Sequence, residues 1–439
     1  MKLVLTVRQA RGTAVRVLTA ICVVFCGAGP VSGVAEERFL TPEAAVVRVL
    51  DTADERLALM PGVAASKWQT HASILDPERE RIVIQRAGEQ AAPLGLSAKP
   101  VERFFEIQVR LARELESHLT EQWSAQGFRF AGPIPDLATQ VRPQLDALTG
   151  RMLRALYQAA PALRKPEFIN LYAGLARQHL RREGWSSENR RELLAALAGI
   201  EQMPTPALQR ITATGVLRVG VTGDYAPFSL ESGGTLAGAD IELARELAGH
   251  LHAQPVFIRT SWDAVLDDLR ANEFDLAMGG VSVTPERQAQ AAFSLPYASG
   301  GKTIIARCRD AARYHDLAAI DRAQVRVIVN PGGTNERYVR ANVHKARIRV
   351  YPDNRTIFDE IRAGRADVMI TDDTEVDLQT HRHPDLCRAY SGILTTADKA
   401  ILMPKDAPFI EAVNAWLREQ VSAGVPARLL RQSLEELEK

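Results

Sequence analysis

The chain has 439 residues, 46% hydrophobic and 24% charged, so it carries apolar material for ordinary cores and is neither disordered nor fibrous. At roughly 150 residues per domain the length predicts two or three domains. The 54 Lys and Arg balance the 53 Asp and Glu, which leaves no basic excess for phosphate neutralisation and excludes nucleic acid as the main partner.

Lys2, Arg8, Arg11 and Arg16 form a basic start, residues 17–29 an apolar run, and Gly33, Val34 and Ala35 a small-residue cleavage site, the three parts of a secretory signal. The run is too short to span a bilayer, so cleavage near Ala35 predicts a periplasmic protein with no stable membrane anchor. A lipid anchor on Cys26 is the competing reading, but Val23, Val24 and Phe25 are not the small residues that usually precede such a cysteine. Cys22 and Cys26 leave with the signal. The remaining pair, Cys308 and Cys387, is most simply a disulfide in an oxidising compartment. A metal site using His381, His383 and Cys387 is the alternative, and it lacks a recognisable fourth ligand, so no metal is expected.

From residue 41 to about 201 apolar residues recur at three and four, with β-branched alternation nearly absent. This predicts an all-helical domain over 36–203, with helices near 42–65, 77–92, 98–126, 136–160, 166–182 and 187–200. Breaks fall at Pro93, Gly95, Pro133, Pro135 and Gly184. Pro204 and Pro206 stiffen a connector. Short apolar strands (VLRVGV, PVFIRT, FDLAMGGVSV) then alternate with amphipathic helices, and the pattern repeats from Val325 (VRVIVN, RIRVYP, ADVMIT) before AILMP returns to the first set. The expectation is a two-lobed α/β domain over 204–439, lobe 1 at about 207–305 and 398–439, lobe 2 at about 306–397, with a ligand in the cleft.

In the helical half, Arg56 and Lys67 lie about three turns apart, so both cations can follow one face. Asp76 can cap the next helix, with Arg79 and Glu80 in its first turn. Glu102 and Glu106 are one turn apart on a third helix, and Arg151 comes from a fourth. Together these residues resemble the active-site pattern of the all-helical chorismate mutases, and the signal points to their secreted subclass. Glu102 stands where that subclass tends to have a hydroxyl residue, and Val83 where a polar one is common. The resemblance implies that Arg56, Arg79 and Arg151 hold the carboxylates of chorismate, while Lys67 and a protonated Glu106 donate to the breaking ether oxygen. Glu102 beside Glu106 would favour that protonation.

The α/β half resembles the amino-acid type of periplasmic solute-binding protein. Tyr225 and Phe228 in GDYAPFSL and Trp262 in TSWDAVL are the expected cleft aromatics. Arg287 stands at the family's carboxylate arginine, with Ser282 beside it, and the amides of Thr334 and Asn335 in NPGGTNERY open a helix as an anion site. Asp372 in ITDDTE either meets a ligand ammonium or braces the cleft. GGKTII, VNPGGTNERY, YPDNRTIF and ADKAILMP look like periplasmic cyclohexadienyl dehydratase, a catalytic offshoot of that fold. This implies decarboxylative dehydration of prephenate to phenylpyruvate, or of L-arogenate to phenylalanine. Glu336 is the expected acid, and Lys302 and Asn354 the expected contacts to the ring carboxylate or hydroxyl; Lys302 is otherwise a solvated residue near the hinge. The two halves together imply a bifunctional enzyme that needs no cofactor. The alternative is a non-catalytic receptor for a carboxylate or amino-acid ligand fused to the mutase.

Overall fold

The computed structural model describes residues 38–130 and 132–437; the expected signal and its cleavage site lie outside them. The described residues form two compact units, one of residues 42–205 and one in which residues 38–41 join everything from 206 onward.

The first unit is a bundle of α1 (Pro42–Ala58), α2 (Met60–Thr70), α3 (Pro77–Ala91), α4 (Ala98–Gln126), α5 (Arg142–Leu163), α6 (Phe168–His179) and α7 (Ser187–Ala198). The single helix expected over 42–65 is two, because Pro61 in the first turn of α2 has no N–H to continue the α1 ladder. Asp76 caps α3 by accepting from the Arg79 N–H at 3.1 Å, and Ser186 caps α7 in the same way. Val46, Val49, Leu50, Ala53 and Leu57 recur at three and four on α1 and are buried, as are Met152, Leu153 and Leu156 on α5, the helix α1 packs against.

The second unit has two five-stranded sheets. The first contains β1 (Val216–Val221), β2 (Gln254–Arg259), β3 (Leu276–Ala277) and β4 (Ala292–Phe293). The second contains β5 (Lys302–Arg307), β6 (Arg326–Val329), β7 (Arg347–Val350), β8 (Val368–Asp372) and β9 (Leu386–Arg388), after which β10 (Leu402–Met403) rejoins the first. Their orders are β2-β1-β3-β10-β4 and β7-β6-β8-β5-β9. β1 runs parallel to β2 and β3, and β6 parallel to β7 and β8; β5, β9 and β10 are antiparallel to their neighbours. The chain crosses between lobes at Ala298–Gly300 and Ala397–Lys399, which pair with each other. β5 therefore lies wholly in lobe 2, and the lobe boundary expected after residue 305 moves to the crossing strand. The boundary expected at residue 36 also shifts. Residues 38–41 belong with the α/β unit, where Phe39 bridges to Phe257 of the edge strand β2 and the Leu40 N–H donates to Phe257 O at 2.8 Å.

Cys308 and Cys387 are joined as a disulfide, which removes Cys387 from the metal alternative. Just before β3 and beside β1, the fully buried Asp275 accepts from Arg218 Nη2 at 2.7 Å, the Arg218 N–H at 2.8 Å and Arg210 Nη2 at 2.5 Å. Burial alone would raise this carboxyl, but the two guanidiniums hold it below its ordinary range. Asp275→Ala deprives both buried cations of this carboxylate and is expected to cost about 3–5 kcal/mol in chemical denaturation.

Candidate active sites

In the helical unit, Phe105, Gln108, Ala112 and Glu116 of α4 share one stripe about 16 Å long. At one end Arg56, in the last turn of α1, is buried with its guanidinium carbon 5.8 Å from the Phe105 ring centre. Burial pushes it down to about 10, and its Nε has no partner among the described residues. The Gln108 Nε2, also buried, has none either. At the other end Lys67 of α2 donates to Glu116 Oε2 at 2.8 Å and to Ile74 O at 3.2 Å. Burial raises the Glu116 carboxyl, and Lys67 offsets this only in part. Glu80 of α3 accepts from Arg113 at 2.9 Å, and Arg79 stands half-buried one residue earlier.

Three expected residues lie elsewhere. Glu106 is exposed, and Glu102 pairs with Lys99 at 2.7 Å and packs against Gly88, where a Cβ would come within 2.6 Å of its Oε1. The carboxyl that meets Lys67 is Glu116. At about 100° per residue, the ten residues from 106 to 116 rotate a side chain by roughly 80°, from solvent to the face toward α2. Arg151 is exposed on α5 and forms a surface ion pair with Glu55 of α1, outside the Lys67–Glu116 cluster.

In the α/β unit, one cavity between the lobes is lined by Tyr225, Trp262, Ser282 and Arg287 from lobe 1, by Asn330, Thr334, Asn335, Asn354, Asp372 and Glu375 from lobe 2, and by Lys399 from a crossing strand. The lobes meet closely here. Gly332, at φ +71°, lies so near Asp263 that a Cβ would come within 2.8 Å of its backbone nitrogen. Asn354 donates to Asp224 O at 3.0 Å, and Trp262 Nε1 to Asp224 Oδ1 at 3.1 Å.

Arg287 is 1% exposed. Its Nη1 donates to Ser282 O at 3.0 Å, while Nε and Nη2, the two parallel donors of one guanidinium edge, have no partner among the described residues. Burial, with the charge of Arg337, pushes this group down to about 10. A buried two-donor edge left open is the complement of a carboxylate.

Asp372 ends β8 and is held by both lysines: Lys302 donates to Oδ1 at 3.1 Å, Lys399 to Oδ2 at 2.7 Å, and the Tyr225 hydroxyl also donates to Oδ2. Burial would raise this carboxyl, but Lys399 and Lys302 hold it well below its usual range. Its oxygens are engaged by protein, so the bracing role fits the geometry and the ammonium role does not. Lys302 is buried rather than solvated. It also donates to Thr334 Oγ1 at 3.0 Å and to Asn335 Oδ1, so it positions the start of helix Thr334–Asn342 from behind the cavity wall.

Glu336 does not line this cavity. Its Oε2 accepts from the Gly332 N–H at 2.8 Å and its Oε1 from Arg340 at 2.7 Å, contacts that keep it ionised below the ordinary carboxyl range. An acid residue in the first turn of a helix is well placed to take a loop N–H and the basic group one turn on, and Glu336 does both. Glu336→Gln is therefore expected to leave turnover in the cleft near wild type, as measured by product formation. The cavity's carboxyl suited to carry a proton is Glu375, fully buried beside Thr371, which donates to it. Burial pushes it up to about 8, and the charge of Asp372 adds to the shift.

Glu375, Lys399 and Glu116 were not singled out by sequence reasoning. Signals for the first two were present: Glu375 follows Asp372 in ITDDTE, and Lys399 sits in ADKAILMP at the return crossing.

A model of the bacterial extracellular solute-binding proteins, family 3, matches residues 217–436, and one of chorismate mutase type II matches residues 47–117. Cyclohexadienyl dehydratase of Pseudomonas aeruginosa is 46% identical over 56% of this chain and 93% of its own length. The L-cystine-binding protein TcyJ of Escherichia coli K12 is 32% identical over 38% of this chain and 62% of its own. Among solved structures, an amino acid ABC transporter substrate-binding protein from Streptococcus pneumoniae bound to L-arginine superposes with a TM-score of 0.50 at 25% identity, covering 53% of this chain and 98% of that one. The chain thus belongs to family 3 of the bacterial extracellular solute-binding proteins and carries a type II chorismate mutase segment ahead of that domain.

Proposed function

We propose that the chain is an exported bifunctional enzyme: the helical unit rearranges chorismate to prephenate, and the α/β unit converts prephenate to phenylpyruvate, or L-arogenate to phenylalanine. Export through a signal cleaved near Ala35 to the periplasm is part of this reading, in keeping with an extracellular family. Neither reaction as written requires a metal or an organic cofactor.

The rearrangement needs a folded dianion and stabilisation of the charge growing on its ether oxygen. Lys67 supplies a cation for that oxygen, and Glu116, raised by burial, supplies a neutral O–H donor when protonated. In this reading Arg56, buried with an open Nε, and the half-buried Arg79 hold the carboxylates.

In the cleft, the Nε–Nη2 edge of Arg287 grips the side-chain carboxylate. Glu375 gives its proton to the ring hydroxyl, which leaves as water. The bond from the ring to its carboxylate breaks, carbon dioxide departs, and the electron pair completes the aromatic ring. Glu375 then regains a proton from solvent. With Glu375 protonated, Arg287 and Lys399 in the cavity lining outnumber Asp372, an excess of positive charge suited to an anionic substrate. Prephenate fits better than arogenate, because the lysines and Tyr225 already occupy Asp372. The observation that carries the reading is a buried carboxyl, raised by that burial, in the same cavity as an open arginine edge. A transport receptor has no use for the first.

The test is prephenate added to purified protein. Phenylpyruvate forming at a rate proportional to protein is the expected result. Tight binding with prephenate recovered intact would return the α/β unit to the receptor class.

A further inference from the structure

Residues 38–41 precede the helical unit in sequence yet lie on the α/β unit, where Phe39 forms a single parallel β-bridge to β2. Phe39 is half-buried and packs against the core beneath the first sheet. Its ring lies directly behind Gly223, where a Cβ would meet Phe39 Cζ at 3.1 Å, and Gly223 also needs its φ of +68°. Arg259 fixes the ring as well: its guanidinium carbon stands 3.9 Å from the ring centre, and Arg259 pairs with Glu231 at 2.9 Å. Glu231 in turn donates its N–H to Gly223 O at 2.9 Å. Gly223 is thus held between Phe39 and Glu231.

The next two residues carry contacts that join the lobes. Asp224 O accepts from Asn354 of lobe 2 at 3.0 Å, and Tyr225 donates to Asp372 of lobe 2. Asp224 also orients Trp262, a wall of the cavity. A shift at Gly223 therefore bears on one wall of the cavity and on two of the contacts that join the lobes.

We propose that residues 38–41 are a positioning strap for the cleft, in which Phe39 sets the Gly223–Tyr225 segment so that the lobes close on substrate. The inference rests on the dehydratase reading above. It assigns a role in the cleft to a segment that the sequence separates from that cleft by the whole helical unit.

The test uses the full chain, with steady-state kinetics on prephenate for wild type, Phe39→Ala and Phe39→Tyr. Phe39→Ala is expected to raise KM about tenfold with kcat little changed, because closure rather than proton transfer is weakened. Phe39→Tyr, which keeps the ring, should restore the wild-type KM, and mutase activity should stay constant throughout. A wild-type KM in Phe39→Ala, or a loss confined to kcat, overturns the proposal. If Phe39→Ala does not fold, Phe39→Leu carries the same test: a raised KM supports the strap and a wild-type KM overturns it. Wild-type protein that forms no phenylpyruvate contradicts the dehydratase reading instead. The strap is then judged by the calorimetric Kd for prephenate, which Phe39→Ala should raise and which, if unchanged, overturns it.

Discussion

Glu375→Gln is expected to lower dehydration of prephenate by about 10²- to 10⁴-fold, the usual contribution of a positioned general acid. Glutamine keeps the shape and the neutral charge of the buried carboxylic acid and can still accept from Thr371, so the cavity and the fold should survive. What it lacks is a proton to give. The same variant should consume chorismate at the wild-type rate and accumulate prephenate. The pH dependence has a definite sign. An acid acts while protonated, so kcat/KM for prephenate should be level below the pKa of Glu375, about 8, and fall tenfold per unit above it. A limb descending from near the ordinary carboxyl range instead would mean that the acid is a solvated group and not Glu375.

Lys67→Ala is expected to lower chorismate rearrangement by about 10²- to 10³-fold, the scale seen when one donor to a developing oxyanion is lost. Removing the lysine also leaves Glu116 buried without its cation. Burial already raises that carboxyl, so it can respond by binding a proton and need not unfold α4. Dehydration of added prephenate should not change. Glu106→Ala, on the exposed side of α4, should leave rearrangement near wild type. Intact chorismate consumption in Lys67→Ala would remove the lysine, and with it the Lys67–Glu116 pair, from the mutase site.

Periodicity carried the architecture. Apolar spacing at three and four separated the helical unit from the β-α-β pattern, and the prolines near 204 marked the connector. Residue spacing was sound where it ran along one helix end, as with Asp76 capping α3. It failed where the answer depended on which way a long helix is turned. Glu102 and Glu106 attract attention as a pair one turn apart, but only the packing of α2 on α4 decides that Glu116 meets Lys67. Glu336 failed for a different reason. Its sequence position is right for an anion site, but its carboxylate is satisfied locally by Gly332 and Arg340. Glu375 is distinguished by burial, and burial three residues beyond a strand end is a tertiary fact. Lys302 and Asp372 were legible as residues but not as partners, since β5 and β8 become neighbours only through a crossover. The strap at Phe39 had no local signal, because its pairing strand lies more than 200 residues away.

The most direct measurement follows chorismate, prephenate and phenylpyruvate over time in one reaction started with chorismate and purified protein. The account predicts that chorismate disappears, prephenate rises and falls, and phenylpyruvate accumulates to match the chorismate consumed. Prephenate that accumulates without further conversion would contradict the dehydratase, and chorismate that stays unchanged would contradict the whole account.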